Sequence, residues 1–137
     1  MIVRNWMKAN PMVIDSDTLL SEAKRILTEN NLHGLPVVDN GRLRGLITRA
    51  NCLRAASCVL RTQNNDEFNF YSTRIKVNDM MVRNPATVDA NDTMEHALRR
   101  GQELGIGQFP VMEQGQVVGM ISANEIFQIA GQCVGVS

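Results

Sequence analysis

Apolar and polar positions follow one pattern, and the chain runs through it twice. Residues 7 to 53 align with residues 81 to 127 at a constant offset of 74 without a gap. Each copy opens with a short apolar run, Met12-Val13-Ile14 or Ala86-Thr87-Val88, which reads as a strand. Leu19, Leu20, Ala23, Ile26 and Leu27 come next, at the spacing of a one-faced helix. Asp17 or Thr18 is placed to open that helix, and in the second copy Asp92 stands three residues before Glu95, a capping-box spacing. Leu35 to Asp39 and Leu43 to Ile47 then flank Asn40-Gly41, a hairpin signal because both turn residues accept positive φ. Gln114-Gly115 fills the same place in the second copy. Pro36 and Pro110 cannot donate to a ladder and predict a strand's first residue or an edge. A closing helix is expected from Thr48 or Ser122, with Cys52, Leu53, Ala56, Val59 and Leu60, or Ile126, Phe127 and Ala130, facing inward. Each half is therefore βαββα, and the fold class is α/β (α+β).

The identical pairs fall on structural punctuation: Met7/Met81, Asn10/Asn84, Pro11/Pro85, Pro36/Pro110, Gly41/Gly115 and Gly45/Gly119 are among them. Units of about 60 residues would each be marginal alone, so the halves are expected to fold together with two pseudo-equivalent clefts. The boundaries expected are 1–60, a linker 61–78, and 79–137. The linker turns polar at 61–67 and then carries Phe68, Phe70 and Tyr71, half of the six aromatics. Rings of this kind pin a linker to the body or face a partner.

Charge changes the picture in one respect. The formal net charge is zero, which argues against a general electrostatic hold on nucleic acid or an anionic membrane. The first copy, however, holds Lys8, Lys24, Arg25, Arg42, Arg44 and Arg49, whereas the second has only Arg83, Arg99 and Arg100. An anion would favour the first copy. No apolar run approaches the ~20 residues of a membrane span, and the opening residues lack a secretory apolar region, so a cytoplasmic location is expected. Cys52, Cys58 and Cys133 show no metal-ligand spacing, and no metal site is expected.

Met7-Lys8-Ala9-Asn10-Pro11, the helix opened by Asp17-Thr18, and Leu35-Pro36-Val37-Val38-Asp39-Asn40-Gly41-Arg42-Leu43-Arg44-Gly45-Leu46-Ile47-Thr48 together resemble a cystathionine-β-synthase (CBS) domain. Residues 81 to 125 resemble a second one. The opening Val-Arg-Asn-Trp-Met is also similar to small CBS-pair proteins of the acetoin-utilisation type. The resemblance implies a tandem CBS domain pair of two βαββα units related by pseudo-twofold symmetry, usually dimerising. It further implies adenosine-containing ligands (AMP, ADP, ATP, sometimes S-adenosylmethionine or NAD-type molecules) whose occupancy is relayed to an attached domain or partner. The ligand positions it implies are the first strand (Val13 or Thr87), the segment into Pro-Val (His33, Gly34, Leu35 and Pro36, or Gly107, Gln108, Phe109 and Pro110), and a Gly-x-x-Thr/Ser-x-x-Asp element.

In that last element Thr48 and Ser122 open a helix, where free N–H groups and the positive dipole end favour a phosphate. The family's ribose-binding Asp is replaced by Asn51 and Glu125. Asn51 would trade a charge-assisted bond for a neutral one, roughly tenfold in affinity. Ser122-x-x-Glu125 is itself a capping-box motif, and a further carboxylate opposes a phosphate. The first cleft is thus favoured: Thr48 toward phosphate, Arg49 as charge, Asn51 toward ribose, Val13 and Leu35 around the adenine, and His33 in reach of a phosphate when protonated. Phe109 either stacks on a base or belongs to the core. No convergent nucleophile, base and oxyanion donors are recognisable, so no enzyme and no required cofactor are expected. The competing expectation is a dimerisation module with degenerate, non-binding clefts.

Overall fold

A computed structural model describes residues 1–52 and 74–122. Expectations that fall on Phe68, Phe70, Tyr71, Cys58, Cys133, Glu125 and the closing helices beyond Cys52 and Ser122 lie outside the described residues. The elements, in chain order, are α1 (Val3–Trp6), β1 (Lys8–Ala9), α2 (Leu20–Glu29), β2 (Gly34–Asp39), β3 (Arg42–Thr48), α3 (Val77–Met80), β4 (Val82–Arg83), β5 (Val88–Asp89), α4 (Met94–Leu104), β6 (Gln108–Glu113) and β7 (Gln116–Ser122). A further helix opens at Arg49. Helices α1 and α3, and likewise α2 and α4, start at the same offset of 74. The duplication therefore reaches back to Val3/Val77, an identical pair with no solvent exposure in either copy.

The chain forms two compact units, and each is assembled from both repeats. Residues 12–52 group with 74–85, and residues 1–11 group with 86–122. In the first of these units the sheet order is β2-β3-β4, with Gly45 opposite Arg83 and Leu46 opposite Val82. In the second the order is β1-β7-β6-β5, with Lys8 opposite Met120 and Ala9 opposite Gly119. The lead-in to each repeat thus supplies an edge strand to the unit holding the other. Gly45 and Gly119 explain why two glycines recur there: a Cβ on Gly45 would lie 2.6 Å from Met81 Sδ and 2.7 Å from the Val82 carbonyl, and one on Gly119 would lie 2.5 Å from Met7 Sδ. Each glycine is the notch that receives the repeated methionine of the lead-in segment.

Both cores are apolar and sit between helix and sheet. In one, Leu20, Ala23 and Leu27 of α2 pack with Leu35, Val37, Ile47 and Val77. In the other, Met94 and Ala97 of α4 pack with Phe109, Val111, Ile121 and Val3. Burying a side chain of this size contributes about 1.5–3 kcal/mol, so the lead-in valines are substantial parts of cores distant from them in sequence.

The hairpin turns form as the sequence predicts: Asn40 and Gly41 have φ of 52° and 78°, Gln114 and Gly115 of 51° and 77°. Three local expectations are corrected. Helix α2 begins at Leu20, not at Thr18, and has no side-chain cap; the Leu20 N–H donates to the Ile75 carbonyl at 2.8 Å. Asp15 instead organises the approach, its Oδ1 accepting from the Asp17 N–H and the Thr18 hydroxyl. Helix α4 is capped by Thr93, whose hydroxyl accepts from the His96 N–H at 3.1 Å, while Asp92 pairs with the His96 ring at 2.6 Å. The prolines stand third in their strands; Pro36 lies on the edge strand β2, one of the two places expected, but Pro110 lies in the inner strand β6 and is neither first nor at an edge. Pro36 is tolerated because its carbonyl edge faces the Ile14 segment, which pairs with β2 only at a single parallel bridge to Val37. Pro110 stands likewise one residue before β5 begins to pair, at Val111.

Candidate functional site

Strand register brings the first-copy candidates to one rim. Gly34 lies opposite Thr48 and Leu35 opposite Ile47. The Ile14 N–H donates to the Pro36 carbonyl at 3.1 Å, and the Val38 N–H to the Ile14 carbonyl at 2.8 Å, which sets Val13 beside the start of β2. Val13 is 48% exposed, an apolar side chain left open at the rim, whereas Leu35 is fully buried in the core. His33 is exposed, and its carbonyl accepts from the Arg49 N–H at 3.2 Å.

Thr48 and Asn51 form a reciprocal pair across the first turn of the helix. The Thr48 hydroxyl donates to Asn51 Oδ1 at 2.6 Å, the Thr48 N–H reaches the same oxygen at 3.2 Å, and the Asn51 N–H returns to the hydroxyl at 3.1 Å. This is the capping-box geometry that the sequence suggested for Ser122 and Glu125. Asn51 is 9% exposed. Its amide satisfies the helix start, so a ribose hydroxyl would have to compete with Thr48 for Oδ1.

Arg49 is placed differently from the phosphate contact expected of it. Its guanidinium donates to the Leu32 carbonyl at 2.6 Å, the Leu27 carbonyl at 3.2 Å and Asn31 Oδ1 at 3.2 Å. A cation here offsets the negative C-terminal end of α2 and ties the loop before β2 to the helix. Between α2 and the helix from Arg49 lies a cavity of ≈ 400 Å³ lined by Lys24, Leu27, Thr28, Asn31, Arg49 and Cys52. Burial pushes the Cys52 thiol above its ordinary range, opposed by the Lys24 charge. Apart from Arg49, these residues were not among those singled out for a ligand.

The second copy repeats the rim with different chemistry. Gln108 lies opposite Ser122, Phe109 opposite Ile121, and Val88 pairs with Val111 beside Thr87. Phe109 has no exposed surface and belongs to the core. Arg100 on α4 donates through Nη1 to the Thr87 carbonyl, and its guanidinium lies 5.6 Å from the Phe109 ring centroid. Arg100 counts in the sequence only as one of the second copy's three cations, although its place carries a further signal: its partner at the offset of 74 is Ile26, a member of the apolar stripe. Among the described residues no cluster of His, Cys, Asp or Glu could hold a metal, and no helix is long and apolar enough to cross a membrane.

A duplicated βαββ unit with a threonine or serine ending the third strand defines a small class of tandem modules. The CBS domain family matches residues 3–57 and 77–131, and the chain belongs to it as a tandem CBS pair. A CBS domain-containing protein of Dictyostelium discoideum is 28% identical over 130 residues, covering 93% of this chain and 90% of that protein. A homoserine O-acetyltransferase of Methanococcus vannielii is 32% identical over 127 residues, 91% of this chain but only 24% of the enzyme. The chain therefore spans about a quarter of that enzyme's length. Among solved structures, a CBS domain pair in complex with 5′-methylthioadenosine and S-adenosyl-L-methionine superimposes with a TM-score of 0.80 at 24% identity, covering 97% of this chain and 98% of that one. CBSX2 in complex with AMP gives 0.78 at 23%, covering 97% and 98%. AcuB from Vibrio cholerae, of the acetoin-utilisation type, gives 0.81 at 19%, covering 99% and 96%. At these identities the likeness is one of fold.

Proposed function

We propose that this chain is a non-catalytic regulatory module that binds an adenosine-containing ligand at the rim of its first copy and relays occupancy to a partner or attached domain. One observation carries the reading: the β2–β3 register brings the His33–Gly34 segment beside Thr48, and the Ile14–Val37 bridge sets an exposed Val13 next to the same strand. Val13 offers an open apolar surface and adjacent backbone groups to a base. Thr48 offers a hydroxyl and N–H at a helix start to a phosphate. Binding would exchange partners: as phosphate takes the Thr48 donors, Asn51 Oδ1 is released to accept from a ribose hydroxyl. CBS pairs of the same fold that hold AMP or S-adenosyl-L-methionine support this ligand class. An adenine nucleotide (AMP, ADP or ATP) is the expected regulatory ligand, and a homodimer the expected assembly.

The alternative, an interaction module with degenerate clefts, is favoured by the mutual satisfaction of Thr48 and Asn51 and by the engagement of Arg49 with backbone carbonyls. Thermal unfolding in the presence of AMP, ADP, ATP and S-adenosylmethionine decides between them. A ligand at 100 times its Kd stabilises by about 2.7 kcal/mol, which raises Tm by several degrees in a domain of this size. Thr48→Ala is expected to weaken binding more than Ser122→Ala, measured as Kd because the lost cap itself costs about 1 kcal/mol of stability. Unshifted Tm values with all four at millimolar concentration establish the interaction module instead.

A further inference from the structure

The two rims differ at one pair of positions in a way that bears on occupancy. Ile26 and Arg100 are equivalent at the offset of 74, as are Val13 and Thr87. In the first copy the apolar Ile26 packs against the core, and Val13 stands 48% exposed. In the second, Arg100 reaches from α4 to the Thr87 carbonyl and lies over the Phe109 ring, and Thr87 is half-buried. The Thr87 carbonyl, the backbone acceptor this rim presents, is already engaged by a cationic donor on the same unit.

We propose that Arg100 is a specificity-determining gate that keeps the second copy's rim closed to an adenosine-type ligand and makes the pair a single-occupancy module. This rests on the functional reading above and extends it to how the two halves divide their labour. The physical cause is competition for one oxygen. A guanidinium donating to a carbonyl in a partly buried place is a charge-assisted bond, and the neutral amino group of a base taking its place would exchange that bond for a weaker one.

The test is calorimetric titration of the full chain with AMP, ATP and S-adenosylmethionine, before and after Arg100→Ile, which installs the first copy's own residue. Wild type is expected to bind one ligand per chain. R100I is expected to bind two, the second at least about tenfold tighter than any second event in wild type. Thr48→Ala alone should weaken the single site, and T48A/R100I should add a second, tighter one. Two equivalent sites in wild type, or a single site unchanged in R100I, overturns the gate while leaving the nucleotide reading intact. Absence of binding in both wild type and R100I removes the nucleotide reading and the gate with it. If circular dichroism shows R100I unfolded, Arg100→Met, which keeps a long stem over Phe109 without a donor, decides by the same criteria.

Discussion

At the scale of single residues, small side chains matter here as much as charged ones. Gly45 and Gly119 have no Cβ because the lead-in segment of the other repeat passes against them. Gly45→Ala would press a methyl group on the Met81 sulfur, which can yield, and on the Val82 carbonyl, which cannot. It is expected to cost roughly 1–3 kcal/mol, read as a lower denaturation midpoint. Adding Met81→Ala should not restore it fully, because the backbone oxygen remains. Full rescue would show that the methionine alone sets the notch. Arg49 and Arg100 make the complementary point: both are cations near a rim, and both are directed at backbone carbonyls of their own unit.

At the scale of elements, polar side chains fix how loops join the sheets. Asp39 at the end of β2 accepts from the Ser16 N–H at 2.9 Å, tying the approach to α2 onto the hairpin. Its carboxyl is held below its ordinary range, first by the Ser16 hydrogen bonds and with a smaller contribution from Arg44. Asp92 is also lowered: desolvation pushes it up, but the bonds from His96 and the Thr93 backbone outweigh that. A carboxyl lowered in the folded state contributes stability above its unfolded pKa, near 4, and loses it as pH falls through the folded value. Asp39→Asn is therefore expected to destabilise at pH 7, by a margin that shrinks in urea denaturation as pH falls below the ordinary carboxylate range toward the lowered folded value. A pH-independent difference would assign the effect to packing.

At the scale of the whole molecule, the compact units cut across the repeats. Helix α2 needs the Ile75 carbonyl at its start, Val77 in its core and β4 on its sheet edge. A fragment of residues 1–60 lacks all three and is expected to remain unfolded, whereas residues 12–85 should show a cooperative thermal transition by circular dichroism. Folding of the first fragment and not the second would reverse this assignment.

Much was legible in the sequence because periodicity and turn chemistry act over short range. The duplication, the order of helix and hairpin, the two turns and the common helix starts all rest on neighbours a few residues apart, whereas the opening strand expected at Met12-Val13-Ile14 is reduced to one bridge at Ile14, and its counterpart to Val88–Asp89. The cap positions differ from those expected because Asp15 holds a local turn before α2, because Asp92 is engaged by the His96 ring and the Thr93 N–H, and because α2 takes its first hydrogen bond from a segment more than fifty residues away. The candidate rim was legible as positions but not as partners: spacing placed Thr48 and Asn51 one helical turn apart, while only packing directed Arg49 to α2 and Arg100 to Thr87. The sequence by itself determined the repeated unit and the residue types at its rims. Tertiary structure alone decided which lead-in strand completes which sheet and which cations are already engaged, because those choices depend on contacts between segments that no local pattern encodes.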